Sequence, residues 1–369
     1  MMSYARPGMR LFTFLLFLAL RVSVLPRVAA FNMTRNDNLA VYWGQDSAGG
    51  QKPLSAYCAD DTIDTLILAF LYVFDGPGGE PVIDLANTCS KSGSPVFPGT
   101  ALADCSFMAQ QIEACQARGK AVTLSLGGAT GKVGFESDAS AEVFADRIWE
   151  QFLGGESATR PFGKAVLDGI DLDIESGSSV HYAAFVNKIR AHAKRETKRY
   201  YITAAPQCPF PDAHLGGTLD QAEFDAVYVQ FYNNDCGLDE PKSYNIDVWD
   251  TWARTKSPNK DVKVYIGAPS SEHAAGTGYV NAKTLGKHAT DAQSSFDSFG
   301  GVMLWDASEA TDNDNYDKAI KKTLTAAGGE KSPPKPESAP RPKAGRPRIS
   351  PPLRHPDEEP RVKSRLFRV

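Results

Sequence analysis

The chain has 369 residues, of which 42% are hydrophobic and 23% charged, and these proportions are ordinary for a globular protein. Its length suits one large domain, since β/α barrels routinely use about 250 residues or more in a single domain. The net charge of −4 gives no electrostatic reason to expect a nucleic acid as partner.

The N-terminal stretch has the pattern of a secretory signal. Arg6 and Arg10 precede an apolar run at residues 11–20, and small residues ending at Ala30 offer a cleavage point. The alternative is a membrane anchor, but the run has about half of the roughly 20 apolar residues that span a bilayer. We therefore expect residues 1–30 to be a cleaved signal peptide. The mature chain should lack a transmembrane segment and be secreted, to the extracellular space or the cell wall.

The cysteine content fits an oxidising compartment, because an even number in a secreted chain suggests disulfide bonds. The six cysteines are Cys58, Cys89, Cys105, Cys115, Cys208 and Cys236. The sequence alone leaves their pairing open, and because none forms a Cys-x-x-Cys pair we expect no zinc site. Asn32-Met33-Thr34 is an acceptor for N-glycosylation in a secreted chain, which makes Asn32 a candidate modification site.

Short apolar runs rich in β-branched residues recur along the chain, and eight of them predict strands. They lie at residues 39–42, 65–70, 121–125, 169–173, 200–204, 226–230, 262–266 and 301–305. Helical spacing of apolar residues follows several of them, at residues 106–116, 141–152, 182–193 and 314–325. Continuous apolar strands separated by helices indicate a parallel sheet that is buried on both faces.

Eight such units favour the α/β class and closure into a single (β/α)8 TIM barrel, which we expect to span residues 31–327. An open doubly wound sheet is the alternative, but no Gly-x-Gly-x-x-Gly fingerprint follows the first run.

Two segments depart from the pattern of alternating strands and helices. Residues 75–105 are long for a βα loop and predict an excursion stapled by disulfides. Residues 328–369 are dense in proline, lysine and arginine, and this composition predicts a disordered tail.

The sharpest feature is the segment Asp168-Gly-Ile-Asp171-Leu-Asp173-Ile-Glu175. Alternate side chains of a strand share a face, so Asp171, Asp173 and Glu175 should point together into the barrel. Like charges this close cannot all be ionised, and a carboxyl that keeps its proton suits a general acid. A calcium or magnesium site and a solvated acidic loop are the alternatives. Catalysis is favoured, because catalytic groups of barrels lie at the carboxyl ends of strands, where Glu175 falls.

This segment resembles the Asp-x-x-Asp-x-Asp-x-Glu signature of glycoside hydrolase family 18, the chitinases. Ser125-Leu-Gly-Gly128 resembles the second motif of that family. Further segments look like its class III branch, which has plant and fungal members. They lie at residues 42–45, 204–212, 229–234 and 300–305, and the resemblance runs from about residue 38 to about residue 325.

The resemblance implies an endo-chitinase that hydrolyses β-1,4 links between N-acetylglucosamine units with retention of configuration. Its substrate would be chitin or N-acetylglucosamine oligomers, and no enzyme carboxylate attacks the sugar, because the substrate's own acetamide oxygen does. Glu175 would protonate the glycosidic oxygen and later activate water. Asp173 would orient the acetamide, Asp171 would hold a proton in common with Asp173, and Tyr232 would donate its hydroxyl to the acetamide oxygen. We expect no metal and no other cofactor, and a monomer.

The resemblance also suggests substrate-binding residues and a disulfide pattern. Trp305 would form an apolar floor under the sugar, with an ordinary core tryptophan as the alternative. Other candidates for the cleft, several of which could equally be packing residues, are Tyr42, Gln45, Phe70, Gly127, Gly128, Gln230 and Asn233. The implied disulfides are Cys58–Cys115, Cys89–Cys105 and Cys208–Cys236.

Two other functions stay open on the sequence. The same fold occurs in sugar-binding lectins and enzyme inhibitors that have lost the acid or its helpers, but here all four residues assigned to catalysis are present. Lysozyme-like cleavage of peptidoglycan and endo-β-N-acetylglucosaminidase action on N-glycans use the same acetamide chemistry with another substrate.

Overall fold

The computed structural model of the protein describes residues 30–327. The expected signal peptide, apart from Ala30, and the expected tail at residues 328–369 lie outside this range. Between residues 30 and 327, no helix is both long and apolar enough to cross a membrane.

In the part of the chain that the structure describes, nine strands form one sheet, and eight of them close into a parallel barrel. In chain order they are β1 (Asn38–Trp43), β2 (Thr65–Val73), β3 (Val82–Ile83), β4 (Ala121–Gly127), β5 (Gly169–Asp173), β6 (Tyr201–Ala204), β7 (Ala226–Gln230), β8 (Lys263–Pro269) and β9 (Phe299–Trp305). β1 pairs in parallel with both β2 and β9, which closes the barrel, while β3 is a short antiparallel addition to β2. The predicted (β/α)8 barrel is confirmed.

Helices cover the outside of the barrel. They are α1 (Leu54–Tyr57), α2 (Ala109–Ala117), α3 (Asp138–Phe152), α4 (Tyr182–Ala193), α5 (Gly216–Leu219), α6 (Ile246–Thr255), α7 (Ala282–Ser295), α8 (Ala307–Asp312) and α9 (Tyr316–Ala327), with 3₁₀ turns at Pro77–Gly79 and Ser106–Met108. Local sequence explains where they begin: Ser137 caps α3 in a reciprocal capping box with Ser140, and the Asn281 side chain accepts from the Thr284 amide at the start of α7.

The strands separate two buried layers, because their side chains alternate between outside and lumen. On β5, Ile170 and Leu172 belong to the large apolar layer between sheet and helices, and Ile174 continues that layer beyond the strand. A smaller cluster that is rich in aromatic residues fills the lumen; it includes Met33, Tyr42, Phe70, Tyr201, Tyr228, Tyr265 and Met303. Buried polar side chains such as Ser125, Asp171 and Asp173 lie on the lumen face of their strands beside this cluster.

Three disulfides fasten loops to this frame, and no cysteine within the described range is left free. Cys58–Cys115 ties the end of α1 to α2. Cys89–Cys105 closes the excursion at residues 75–105, which also contains β3. Cys208–Cys236 joins the loops after β6 and β7. These are the three pairs that the family resemblance implied.

Candidate active site

The first carboxylate of the site, Asp171, is fully buried and surrounded by hydroxyl donors. Its Oδ2 accepts from the Tyr42 hydroxyl at 2.6 Å and from Ser125 Oγ at 2.7 Å, and its Oδ1 accepts from Thr203 Oγ1 at 2.7 Å. Burial raises the pKa of Asp171, and these hydrogen bonds oppose the rise. The groups that donate to Asp171 are three hydroxyls and not a cation, so the dipoles of these hydroxyls hold the carboxylate in place.

The second carboxyl, Asp173, is 3% exposed and lies one step along the same face of β5. Its Oδ1 accepts from Gln230 Nε2 at 2.8 Å, and its carboxyl also hydrogen-bonds that of Glu175. Burial raises the pKa of Asp173 well above its ordinary value, and the nearby charges of Glu175 and Asp171 raise it further. Both effects favour the protonated form of Asp173.

The third carboxyl, Glu175, is half-buried two residues beyond β5. Burial raises its pKa, while the hydrogen bond from Asp173 lowers it; Asp212 raises it and His214 lowers it. Each of these two carboxyls therefore affects the proton affinity of the other. The family resemblance implied a proton held in common by Asp171 and Asp173, and that role stays a prediction; the hydrogen bond of Asp173 with Glu175 is an additional contact.

Tyr232 faces these acids from the loop after β7 and is 7% exposed. Burial raises the pKa of its phenol well above the ordinary value, and the charges of Asp173, Glu175 and Asp171 raise it further. The hydroxyl consequently stays protonated at neutral pH and can donate a hydrogen bond.

Aromatic rings line the mouth of the barrel beside the acids. Trp305 is partly exposed at the end of β9 and stacks on Phe70, with ring centroids 5.8 Å apart and planes at 21°. Tyr42 lies 5.4 Å from Trp305 but is only 1% exposed. Tyr42 therefore supports the site from below through its bond to Asp171, while Trp305 offers a surface to a ligand.

Three other predicted cleft residues have partners within the protein. Gln45 Nε2 donates to the carbonyls of Gly44, Ala69 and Asp84 at 3.0, 2.8 and 3.2 Å. A Cβ on Gly127 would lie 2.0 Å from the Asp173 carbonyl oxygen, and one on Gly128 would lie 2.9 Å from the Phe70 ring. The close approach that these glycines allow is to β5 and to Phe70.

The last two candidates also bond to the protein. Gln230 donates to the Ala205 carbonyl at 3.0 Å in addition to Asp173. Asn233 is exposed, and its Oδ1 accepts from the amides of Gly276 and Thr277 at 2.8 and 3.3 Å.

The sequence analysis did not identify Ser125 and Thr203 as partners of Asp171, although the pairing of neighbouring strands could have indicated both. In the parallel ladders, Asp171 is the register partner of Ser125 on β4 and of Thr203 on β6. Asp212 and His214, the charges near Glu175, were also missed, because they lie in an irregular loop. Nowhere in residues 30–327 do three or more His, Cys, Asp or Glu side chains gather in a way that could hold a metal ion.

The barrel and its acidic strand define a class of glycosidase. Residues 38–299 match the model of glycosyl hydrolases family 18, and the chain belongs to this family.

Two kinds of relative are informative. The chain is 48% identical over 295 residues to Chitinase 2 of Rhizopus oligosporus, an alignment that covers 79% of this chain and 53% of that protein. The chain spans about half the length of the curated relatives that it matches first. The solved structure of the ICChI chitinase from Ipomoea carnea has a TM-score of 0.66 and 33% identity, and covers 78% of this chain and 99% of that one. The xylanase and α-amylase inhibitor protein XAIP-II from Scadoxus multiflorus has a TM-score of 0.65 and 32% identity, with coverages of 77% and 97%.

Proposed function

We propose that the protein is an endo-chitinase that cleaves β-1,4 links between N-acetylglucosamine units with retention of configuration. The observation that carries this proposal is the pair Asp173 and Glu175, two buried or half-buried carboxyls at the end of β5 whose pKa values are both raised and which face the phenol of Tyr232. A proton donor beside groups able to hold an acetamide is what substrate-assisted hydrolysis requires. Membership of family 18 and the names of the chitinase relatives support the same substrate.

In the first step, binding of the sugar would move a proton from Asp173 to Glu175. When the N–H of the substrate acetamide donates to Asp173, that carboxyl is stabilised as an anion and the proton moves to Glu175. Glu175 then protonates the glycosidic oxygen as the bond to C1 breaks. The acetamide oxygen forms the new bond to C1, which gives an oxazolinium intermediate and releases the shortened chain as an alcohol.

Two neighbours would stabilise this step. The Tyr232 hydroxyl donates to the acetamide oxygen and keeps it in line with C1. Asp173 carries negative charge beside the developing positive charge of the ring, and Asp171, held by three hydroxyls, adds to that field from below. In the second step, Glu175 removes a proton from water, which attacks C1 and restores the original configuration.

The test is to incubate the purified protein with N-acetylglucosamine oligomers and to follow the products and their anomers by proton NMR. We expect shorter oligomers that appear first as the β anomer. Products that appear first as the α anomer would contradict the retaining mechanism. Cleavage of peptidoglycan or N-glycans in parallel assays, without cleavage of the oligomers, would assign the same chemistry to another substrate.

One comparison favours a second candidate function, a protein of this fold that binds glycans or other ligands without catalysis. XAIP-II, which is described as an inhibitor, covers 77% of this chain. The presence of Asp171, Asp173, Glu175 and Tyr232 in mutual contact or charge interaction supports catalysis instead. Oligomer binding without any hydrolysis would decide for the second candidate.

The proposed place of action is outside the cell or in the cell wall. All three disulfides between residues 30 and 327 are of the kind that persists in oxidising compartments. We further propose that the protein acts as a monomer, which light scattering of the purified protein would test.

A further inference from the structure

Two loops meet behind Tyr232. The tyrosine loop (residues 231–239) follows β7 and carries Tyr232, and the glycine loop (residues 270–281) follows β8. The chemistry proposed above uses the Tyr232 hydroxyl, and the arrangement of these two loops decides where that hydroxyl lies.

Hydrogen bonds from two side chains attach the glycine loop to the tyrosine loop. Asn233 Oδ1 accepts from Gly276 N at 2.8 Å and from Thr277 N at 3.3 Å. The Asn233 amide donates in return to the Thr277 carbonyl at 3.3 Å. Asp239 Oδ2 accepts from Gly278 N at 2.9 Å. Three consecutive residues of the glycine loop are thus bonded across to its neighbour.

The contact at Gly278 brings the glycine loop directly against Tyr232. Gly278 has φ +92°, and a Cβ there would lie 2.6 Å from both Cα and Cβ of Tyr232. Even a methyl group would not fit, so the backbone of the glycine loop is the surface on which Tyr232 rests.

Asn233 suits its position for two separate reasons. Its φ is 56°, a left-handed conformation that asparagine and glycine adopt more readily than other residues. Its side chain also supplies an acceptor oxygen to two amides of the glycine loop. The first property belongs to the backbone and the second to the side chain, so substitutions can separate them.

We propose that Asn233 is a positioning residue for the reaction. Its side-chain oxygen holds the glycine loop on the backbone of Tyr232, and this contact fixes the Tyr232 hydroxyl where the acetamide oxygen of the substrate must lie. The inference rests on the proposed function, and it gives Asn233 a role other than sugar binding.

The test compares Asn233→Gly with Asn233→Asp. Glycine keeps the left-handed backbone but lacks the acceptor, whereas aspartate keeps an acceptor oxygen at the same place. With chitin oligomers as substrate, we expect Asn233→Gly to lower kcat about tenfold with KM changed by less than about twofold. Asn233→Asp should retain about half of the turnover or more, because it restores both amide contacts.

A double-mutant cycle with Tyr232→Phe shows whether Asn233 acts through the hydroxyl. Tyr232→Phe alone should lower kcat about a hundredfold. If positioning of that hydroxyl is the role of Asn233, Asn233→Gly should then change kcat by less than about twofold in the Tyr232→Phe background. A full tenfold loss in that background, or a rise in KM alone, would overturn the proposal and make Asn233 a sugar contact or a general structural residue.

Amide hydrogen exchange tests the contact between the two loops without relying on an activity assay. Asn233→Gly should increase amide exchange in segments 231–233 and 276–278 relative to wild type, while Asn233→Asp should not. If the wild-type protein cleaves no oligomer, the proposed function fails, and exchange alone then decides whether the contact exists. Unchanged exchange in Asn233→Gly would overturn the positioning role in either case.

Discussion

Identical side chains on one strand acquire different properties from their neighbours. Asp171 receives three hydroxyl donors, whereas Asp173 receives one amide and lies against another carboxyl. Donors stabilise the ionised form and a neighbouring carboxylate opposes it, so hydrogen bonds oppose the rise that burial causes in the pKa of Asp171, whereas the charge of Glu175 adds to the rise in the pKa of Asp173.

The role of Glu175 gives the most direct prediction. Glu175→Gln should lower kcat on chitin oligomers about a thousandfold, because an amide cannot protonate the leaving oxygen. Oligomer binding measured by calorimetry and the circular dichroism spectrum should stay close to wild type. The matched control is Glu142→Gln, an exposed change on α3, which should leave turnover unaltered. Substantial hydrolysis by Glu175→Gln would refute the assignment of the acid.

Asp173 gives a prediction about stability. Its folded-state pKa is raised, so its contribution to stability is present below the unfolded pKa, about 4, and is lost as pH rises through the folded value. Asp173→Asn cannot ionise, and its amide can donate to Glu175 as the protonated acid does. We therefore expect the variant to melt about 2 °C above wild type at pH 7, with the difference vanishing near pH 4.

Calorimetry at both pH values checks this expectation, with the exposed change Asp235→Asn as the control. Activity should fall strongly in Asp173→Asn although stability rises, as expected where a site is built at the expense of stability. An equal or lower melting temperature at pH 7 would show that the raised pKa has another origin than burial beside Glu175.

At the scale of elements, the strands of the barrel were predictable and some of its additions were not. A strand buried on both faces is a continuous apolar run, and β4 with all seven residues buried is an example. β3 has two residues, too few for any periodicity. α7 was absent from the predicted helices because its buried face is made largely of small residues such as Ala289 and Ala292, which give a weak apolar signal.

The same limit explains which site residues the sequence revealed. The alternation in β5 placed three acids on one face, because that pattern is local. The bond from Asn233 to Gly276 joins loops that are separated by β8 and α6. No local pattern predicts such a contact, so the sequence could suggest that Asn233 bonds to sugar or to its neighbours but could not identify Gly276 as its partner.

The disulfide Cys208–Cys236 gives the prediction for the loops. Replacing both cysteines by serine should lower the free energy of unfolding by about 3 kcal/mol, measured by urea denaturation. It should also lower kcat, because the bond fastens the tyrosine loop to the loop after β6. Cys58–Cys115 lies between α1 and α2, outside the barrel mouth. Replacing Cys58 and Cys115 by serine should lower the free energy of unfolding by a similar amount and leave kcat nearly unchanged. Equal losses of kcat in the two double variants would show that the Cys208–Cys236 bond has no special role in activity.

At the scale of the whole molecule, the closed barrel has two ends, and different residues lie at the carboxyl ends and at the amino ends of its strands. The carboxyl ends of the strands carry the acids, Tyr232 and Trp305. The amino ends are covered by the segment that precedes β1: Met33 packs into the lumen cluster, and the Tyr201 hydroxyl at the start of β6 donates to the Phe31 carbonyl at 3.4 Å. The strands put about 20 Å between these ends.

Because of this separation, Asn32 can test two predictions: that the chain is glycosylated when secreted, and that the segment before β1 lies far from Glu175. Asn32 is exposed beside the closed end, and its Oδ1 accepts from Thr34 N and Oγ1 at 3.0 and 2.8 Å. Chain expressed through a eukaryotic secretory pathway should carry a glycan at Asn32, seen as a loss of mass on treatment with a peptide N-glycosidase. Asn32→Gln should abolish that loss of mass while kcat and KM on chitin oligomers stay within about twofold of wild type, since about 20 Å of barrel lies between the glycan and Glu175. A strong loss of turnover on removing the glycan would mean that the segment before β1 reaches the catalytic end, whereas an unmodified Asn32 in secreted protein would leave the geometry intact and refute the modification.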